Sequence, residues 1–323
     1  MIENIEIKNF KSIKQLKLDC KRINVLIGEP NTGKSNLLET IGIFSFGGYH
    51  AYGGLRNFVR FERASNLFYD ESLNEPVRIS LDDIDFDLSF KDGRFQGAIN
   101  AKEHGTVTIK GDYNDIKYAS GQNNKLVSFK FYQFAIQSVF PRLESDFLLP
   151  PSGQNLMSLI QTHKELYSVA NQMFSNFGLR LGLRPQESRI EVIKELEPII
   201  VSYPYSLTSD TLQRIIFYLC AVLSNKDSVL VFQEPESHAF PYYTKYFAET
   251  VALDGRNNQY FISTHNPYSL LPLLEKAPKE DVAVFITYFE NYQTKVKPLS
   301  TEEVEEIMEI DVFSNLDRFL EER

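Results

Sequence analysis

The sequence contains no tryptophan, only two cysteines and no long hydrophobic run. Its longest apolar stretch, residues 215–223, is far shorter than the roughly 20 residues that a membrane-spanning helix needs. Cys20 and Cys220 lie far apart and lack metal-ligand spacing, so neither a disulfide scaffold nor a zinc site is indicated. The first residues also lack the basic and apolar segments of a signal peptide. These absences predict a reduced, cytoplasmic protein without a membrane partner.

Acidic residues outnumber basic ones, 43 to 34, which gives a formal net charge of −9. This overall charge does not favour DNA or RNA as a partner, although a local basic stripe would be compatible with it. The 323 residues suffice for one large domain or two. Composition and length thus indicate no function, whereas the local motifs do.

Residues 28–35 form one phosphate-binding motif, Gly-Glu-Pro-Asn-Thr-Gly-Lys-Ser, which fits G-x-x-x-x-G-K-[ST]. The apolar run 23–27 predicts a buried strand before it, and residues 36–41 have helical spacing after it. In such a loop the glycines let backbone N–H groups surround a phosphate, and the helix N-terminus adds partial positive charge. The sequence thus predicts nucleoside triphosphate binding by Gly28, Glu29, Pro30, Asn31, Thr32, Gly33, Lys34, Ser35 and Asn36, with Lys34 on the terminal phosphates and Ser35 on Mg²⁺.

Two short apolar runs near the C-terminus, 229–232 and 260–262, predict strands that end in polar residues. Glu234 follows the first run and His265 follows the second. Ligands of open α/β sheets bind at the carboxyl ends of the strands, so both side chains are expected near the phosphate loop. There Glu234 would polarise an attacking water and His265 would contact the γ-phosphate. The alternatives are that Glu234 caps a helix and that His265 is a core histidine.

The rest of the chain alternates between strand and helix patterns. Residues 2–19 predict an antiparallel hairpin with its turn at Lys11-Ser12, and residues 44–54, rich in glycine, predict a flexible connection. Residues 190–196 fit either a strand or a short helix. The other predicted elements are a run of antiparallel hairpins at 76–131, helices at 153–183, 205–223 and 240–252, a strand at 282–288 and an acidic helical tail at 301–323.

Five segments together resemble the ABC-class ATPases, in the SMC-like branch that includes small AAA-type ATP-binding proteins and the nuclease-linked OLD proteins. The most specific is Glu-Pro-Glu-Ser-His-Ala-Phe-Pro at 234–241. The resemblance covers both ends of the chain, 1–45 and 203–270. The matching segments are 5–12, 28–35, 206–212, 229–241 and 262–267.

The resemblance implies an α/β fold with an ABC-type P-loop core, namely a mixed sheet with flanking helices and an N-terminal antiparallel hairpin. Residues 1–323 would form a single ATPase domain. Within it, 1–45 and 201–323 would form the nucleotide-binding core, and 46–200 an inserted β-rich and helical arm. The absence of a long heptad repeat and of an added nuclease segment sets this chain apart from the larger relatives.

The resemblance also assigns roles to individual residues. Glu234 would be the catalytic carboxylate and His265 the switch histidine, while Lys11 and Ser12 would contact ATP. Residues 206–211 would form a degenerate signature motif, which binds the ATP held by a second copy of the chain in a nucleotide-sandwich dimer. The signature contacts would be Ser206, Ser209 and Asp210, with Ser209-Asp210 standing where the family usually has a glycine pair.

One departure from the family concerns the Mg²⁺ site. Gln233 stands where an aspartate is usual, and it brings a carbonyl but no negative charge. The metal ligands would be Ser35, Gln233 and the glutamine of a Q-loop, for which Gln133 and Gln137 are both candidates. Slow hydrolysis is the expected consequence.

The leading hypothesis is an ATPase, with ATP and Mg²⁺ as cofactors, that dimerises on ATP and regulates a separate effector subunit. The family analogy suggests anti-phage defence or DNA maintenance as its setting. One alternative is an ATP-gated scaffold with negligible turnover. Another is direct DNA or RNA binding through arm cations that are interspersed with acids, namely Lys91, Arg94, Lys102, Lys110, Lys117, Lys125 and Lys130.

Overall fold

A computed structural model describes residues 1–320 of the chain. The strands are β1 (Asn4–Phe10), β2 (Ile13–Asp19), β3 (Ile23–Ile27), β4 (Val77–Leu81), β5 (Ile84–Lys91), β6 (Arg94–Ala101), β7 (Gly105–Gly111), β8 (Ile116–Gly121), β9 (Phe129–Tyr132), β10 (Arg180–Arg184), β11 (Arg189–Leu196), β12 (Ile199–Pro204), β13 (Val229–Gln233), β14 (Gln259–Ser263), β15 (Val282–Glu290) and β16 (Gln293–Pro298). The α-helices are α1 (Lys34–Tyr49), α2 (Leu156–Thr162), α3 (Lys164–Ser175), α4 (Asp210–Ser224), α5 (Pro241–Ala252), α6 (Pro267–Lys276), α7 (Thr301–Glu309) and α8 (Leu316–Leu320).

The central sheet has the strand order β16-β15-β3-β14-β13-β9. Strands β9, β13, β14, β3 and β15 run parallel, and β16 returns antiparallel to β15. Every residue of β3 and β14 is buried, as expected for strands covered on both faces. The predicted P-loop core, with helices flanking a mixed sheet, is therefore confirmed. The carboxyl ends of β3, β13 and β14 meet at one edge.

The second sheet is antiparallel and has the order β2-β1-β4-β5-β6-β7-β8. The predicted N-terminal hairpin is present, with β1 paired to β2 across Lys11-Ser12. Inward and outward residues alternate along β4 and β5, which confirms one buried and one solvated face.

The glycine-rich residues 44–54 are not the predicted flexible connection, because α1 continues to Tyr49. A Cβ on Gly47 would lie 2.7 Å from the side chains of Ile99 and Leu126, and a Cβ on Gly48 would lie 2.7 Å from the Leu126 carbonyl oxygen. The glycines thus serve close packing within a helix rather than flexibility, and tertiary contact outweighs their low helix propensity.

The prediction that antiparallel hairpins continue to residue 131 is also wrong. Residues 126–128 belong to a short 3-10 helix, and β9 then enters the central sheet parallel to β13 instead of the antiparallel sheet. The division of the chain at 45 and 201 stays a prediction. However, the segment 46–200 is not separate from the core, since β4 pairs with β1 and β9 pairs with β13.

The remaining elements complete the core around α4. The predicted helices at 153–183 appear as α2 and α3, but the chain turns into β10 at Arg180. Residues 190–196 form a strand, within the three-stranded sheet β10-β11-β12. The predicted tail at 301–323 divides into α7 and α8, and its residues 321–323 lie outside the described part. Up to residue 320, none of the helices combines the length and apolar character that crossing a bilayer requires.

Candidate functional site

The phosphate loop connects β3 to α1 and depends on two glycines with positive φ, 144° at Gly28 and 100° at Gly33. L-residues rarely adopt these conformations. A Cβ at Gly28 would overlap the carbonyl oxygen of Thr287, and one at Gly33 would overlap the Thr294 hydroxyl. Backbone geometry and close packing both require glycine at these positions.

The two threonines that enclose the loop belong to the β15–β16 hairpin, which sequence reasoning did not connect with the site. Thr287 and Thr32 hydroxyls hydrogen-bond at 2.7 Å, and Thr294 Oγ1 donates to the Thr32 carbonyl at 3.0 Å. The Thr294 N–H donates to the Ser12 carbonyl at 2.8 Å. The hairpin thereby fixes both the phosphate loop and the β1–β2 turn.

Lys34 is the first residue of α1 and is only 4% exposed. Its Nζ donates to the carbonyl oxygens of Gly28 at 2.9 Å and Glu29 at 2.7 Å. Burial lowers the pKa of Lys34 to about 8, against the opposing attraction of Glu234 and Glu29. Lys34 is a buried ammonium whose hydrogen-bond acceptors are neutral carbonyl oxygens. An anionic ligand would stabilise its protonated form and return its pKa toward the usual value.

Glu234 and His265 meet at the ends of neighbouring parallel strands, as predicted. Gln233 pairs with Ser263 in the β13–β14 register, and His265 Nε2 lies 3.1 Å from Glu234 Oε1. The hydrogen bond from His265, with added attraction from His265 and Lys34, lowers the pKa of Glu234. Glu234 is therefore a carboxylate at neutral pH.

Neither alternative reading of these two residues fits the geometry. Helix α5 begins at Pro241 with Phe240 as its N-cap, so Glu234 is not a helix cap. The His265 side chain is 35% exposed and is not part of the core. The residue behind this pair is Glu236, which accepts hydrogen bonds from the Thr264 hydroxyl and the His265 N–H.

Gln233 Nε2 donates to Ser35 Oγ, which joins two of the predicted Mg²⁺ ligands. Gln133 follows β9, whose last residue pairs with Phe232, so it lies beside Gln233 at the same sheet edge. Its side chain is exposed and does not line the cleft described below. Gln137 instead donates to the Ser152 carbonyl. The strand register thus favours Gln133 over Gln137. Up to residue 320, no cluster of three or more His, Cys, Asp or Glu side chains is placed to hold a metal ion.

These elements enclose a cleft of about 390 Å³ at the edge of the central sheet. Ser12 and Asn36 are linked there, with Asn36 Nδ2 donating to Ser12 Oγ at 2.7 Å. Arg60 and Phe289 also line the cleft, and the sequence had not singled out either. The lining residues are Ser12, Pro30, Asn31, Gly33, Lys34, Ser35, Asn36, Arg60, Glu234, His265 and Phe289.

Outside the signature segment, four of the predicted ATP contacts do not line the cleft, namely Gly28, Glu29, Thr32 and Lys11. Glu29 and Thr32 line a groove beside α8 that adjoins the cleft, since Phe289 lines both. Lys11 binds the buried Glu39 carboxylate, which also accepts from Arg60 Nε at 2.6 Å. Lys11 does not line the cleft, and it ties the first hairpin to α1.

The predicted signature segment lies apart from this cleft. Ser206 belongs to a 3-10 helix, Ser209 precedes α4, and Asp210 is the first residue of α4. None of the three lines the cleft of its own chain. Leu207, between them, is 79% exposed.

The arm cations proposed for direct nucleic-acid contact differ in burial and in their contacts. Lys125 Nζ pairs with Asp83 at 2.5 Å. Lys130 is buried, contacts Asn225 and Ser228, and lies over the Phe147 ring at 3.6 Å. Lys130 is therefore a structural residue and is not available to a phosphate backbone.

Comparison with known proteins supports the fold and the type of domain. Residues 1–140 match the AAA ATPase domain family. The DNA replication and repair protein RecF of Staphylococcus epidermidis is 22% identical over 65% of this chain and 58% of RecF. The ATP/GTP phosphatase of Helicobacter pylori is 23% identical over 73% of this chain and 76% of that protein. The chain thus spans less than two thirds of RecF.

Among solved structures, an SMC head bound to the C-terminal winged-helix domain of ScpA matches with a TM-score of 0.56 at 16% identity, over 94% of this chain and 99% of that one. An SMC head with an extended coiled coil from Pyrococcus furiosus, bound to the C-terminal domain of ScpA, also gives 0.56, at 14% identity over 95% and 98%. Identities this low establish the fold alone. The chain thus has the P-loop fold of an SMC head, and its residues 1–140 match the AAA ATPase domain.

Proposed function

We propose that the chain hydrolyses ATP in the cleft between the phosphate loop and the ends of β13 and β14. The observation that carries this is the Glu234–His265 pair, 3.1 Å apart and in the same cleft as Lys34 and Ser35. The lowered pKa keeps Glu234 ionised, and an ionised carboxylate can accept a proton from water. A histidine within hydrogen-bond distance of it can hold the carboxylate in place.

The donor set fits a Mg²⁺-bound triphosphate. The buried Lys34 ammonium, the glycine loop and the N-terminus of α1 all favour an anion. When bound, Mg²⁺ neutralises charge on the phosphate oxygens, and Ser35 and Gln233 are the residues that would hold it. Gln133 would join them only if its exposed side chain turned into the cleft. Gln233 adds no negative charge to this set, which is the reason to expect slow turnover.

The proposed active form is a dimer with ATP between its two copies. Support comes from Ser206, Ser209 and Asp210, which lie outside the cleft of their own chain and so remain available to another. In this arrangement the N-terminus of α4 would contact the terminal phosphate held by the second copy. Phosphate release would then separate the two copies.

We further propose a cytoplasmic setting and a separate effector subunit. The two cysteines are free thiols, in accord with a reducing compartment. The solved SMC heads were crystallised with ScpA domains, which makes a separate partner a reasonable expectation for this chain. A role in anti-phage defence or DNA maintenance rests on family analogy alone.

The test combines molecular mass with phosphate release. The wild-type chain should dimerise with ATP and Mg²⁺, and Glu234→Gln should dimerise yet release phosphate at least 100-fold more slowly, since it lacks the proton acceptor. Ser209→Arg is the matched interface control, because it should bind ATP as a monomer. An unchanged mass with ATP or a non-hydrolysable analogue would refute the dimer.

The second candidate is an ATP-gated scaffold, favoured by the hydrogen bond between Gln233 and Ser35. In that case ATP binding, without turnover, would control the partner. Wild-type phosphate release no faster than that of Glu234→Gln, together with ATP-dependent dimerisation, would favour the scaffold over the enzyme.

Direct DNA binding has one structural observation in its favour. Lys110 faces Lys117 across β7 and β8, and Arg94 lines the same groove together with Asp112 and Asp115. RecF, by its name, acts in DNA replication and repair. Duplex DNA binding that weakens steeply with salt, and weakens further in Lys110→Glu, would support this candidate.

A further inference from the structure

The cleft has two chemically different sides, which follow from the strand order of the central sheet. Strand β3, which leads into the phosphate loop, lies between β14 on one side and β15 on the other. The acid–base pair Glu234 and His265 stands on the β13–β14 side. The side formed by β15 carries Phe289, the one aromatic residue among those lining the cleft within residues 1–320.

The position of Phe289 is fixed by the same hairpin that holds the phosphate loop. Phe289 pairs directly with Thr294 across β15 and β16, so their side chains lie on the same face of the hairpin. Thr294 packs against Gly33, donates its hydroxyl to the Thr32 carbonyl and donates its N–H to the Ser12 carbonyl. The strand pair that carries Phe289 is therefore hydrogen-bonded both to the phosphate loop and to the β1–β2 turn.

The Phe289 ring itself is half open to solvent. It is 51% exposed, and no aromatic side chain within residues 1–320 packs against it in a ring pair. The surrounding cleft is lined mostly by polar groups. A rigidly mounted apolar ring at the mouth of a polar anion site offers a flat surface to a ligand with both an anionic and an aromatic part.

The direction of the ligand follows from the two sides. A triphosphate on Lys34 and Ser35 that places its terminal phosphate toward Glu234 and His265 turns its other end away from β13 and β14. Within residues 1–320, Phe289 on β15 is the aromatic residue that lines the cleft there. We propose that the base of the bound nucleotide stacks on the ring of Phe289. This inference rests on the proposed nucleotide binding and adds the residue that distinguishes a nucleotide from bare polyphosphate.

Stacking on an aromatic ring tolerates every base, because each has a π-face. We therefore expect ATP and GTP to bind with similar affinity, and pyrimidine nucleotides, with a smaller ring, to bind less tightly. Truncation of the ring should weaken nucleotide binding by roughly 5- to 150-fold. Inorganic tripolyphosphate has no base, so its affinity should not depend on Phe289.

The experiment measures binding of ATP and tripolyphosphate, each with Mg²⁺, to the full chain. Phe289→Ala should weaken ATP at least fivefold and leave tripolyphosphate within twofold of wild type, which also shows that the loop has folded. Tyr292→Ala is the matched control, since Tyr292 is an exposed aromatic of the same hairpin that does not line the cleft. It should bind both ligands as wild type does.

A second variant gives a direct readout, because the chain contains no tryptophan. Phe289→Trp should retain ATP binding, and its indole fluorescence should be quenched by ATP and GTP but not by tripolyphosphate. Equal losses of ATP and tripolyphosphate affinity in Phe289→Ala, unchanged ATP affinity, or unquenched fluorescence at saturating ATP would each overturn the stacking role while leaving the proposed function intact. If the wild-type chain bound neither ligand, the proposed function would fail, and this inference with it.

Discussion

The lowered pKa of Lys34 should make the proposed nucleotide binding depend on pH in a range where most side chains do not titrate. Burial holds this pKa at about 8 in the free protein. Only the protonated ammonium attracts phosphate, and a bound polyphosphate should return its pKa toward the usual value near 10.4. We predict that ATP affinity falls as pH rises through 8.

The magnitude follows from the two pKa values. At pH 7 about nine tenths of Lys34 is protonated in the free protein, and at pH 9 about one tenth is, while the bound form stays protonated at both values. ATP affinity should therefore fall roughly tenfold between pH 7 and pH 9, which equals about 1.4 kcal/mol.

Stability of the free protein should change in the opposite direction. The pKa of Lys34 is lower in the folded chain than in the unfolded chain. At any pH between these two pKa values the unfolded state therefore binds more protons than the folded state. The free energy of unfolding consequently rises with pH in that range. For Lys34 this window runs from about 8 to the unfolded value near 10.4. The gain in melting temperature on adding ATP should consequently shrink as pH rises.

Calorimetric titration with ATP at pH 7, 8 and 9, in buffers of different ionisation enthalpy, measures both affinity and proton uptake. The wild type should take up about half a proton per ATP near pH 8. Lys34→Arg is the control, because its guanidinium stays charged, and its affinity should be flat over this range. A flat wild-type affinity with no proton uptake would refute the assignment of the lowered pKa to Lys34.

Three further substitutions test the other contacts of the cleft. Gly33→Ala should abolish ATP binding, with a loss of at least 100-fold, because the residue has a positive φ and a Cβ there would overlap Thr294. Gln233→Asp should accept rather than donate a hydrogen bond at Ser35, and should lower the Mg²⁺ concentration for half-maximal phosphate release roughly tenfold. Glu236→Ala should slow phosphate release about tenfold and cost ~1–3 kcal/mol of stability in chemical denaturation, because the donors at 264 and 265 lose their buried acceptor.

Each of these has a matched comparison. Gly255→Ala should bind ATP normally, since a Cβ there meets no atom within 4 Å. Gln233→Ala should lose the contact to Ser35 without gaining charge, so a similar Mg²⁺ response in Gln233→Asp and Gln233→Ala would count against the charge argument. Glu236→Gln keeps an acceptor oxygen and should retain most activity. If it proved as slow as Glu236→Ala, the charge of Glu236 would be the important property.

The phosphate loop and the neighbouring strand ends could be predicted from sequence, because phosphate binding restricts both the residue types and their spacing. A loop that surrounds phosphate needs glycine at 28 and 33, and strands buried on both faces show as apolar runs that end where ligands bind. Glu234 and His265 followed from that rule together with the phosphate loop. Their 3.1 Å separation was the part that only the structure could give.

Contacts made by distant parts of the chain could not be predicted in this way. Arg60 and Phe289 reach the cleft from segments with no motif, and only strand pairing and tertiary packing bring them there. The same limitation explains the error at Gly47 and Gly48, where local propensity favours a break but the fit against Leu126 favours a helix. Lys130 looked like a surface cation until its burial was known.

The threonine contacts of the β15–β16 hairpin also have a consequence for the order of folding. Strand β3 ends at Ile27, yet both its neighbours, β14 and β15, come from residues beyond 258. During synthesis the phosphate loop leaves the ribosome long before Thr287 and Thr294, the residues that pack against its glycines, have been made. Pairing at such sequence separation is slow. A nascent chain therefore completes this loop only after β15 and β16 have been made, and we expect chains that stop before this hairpin not to bind nucleotide.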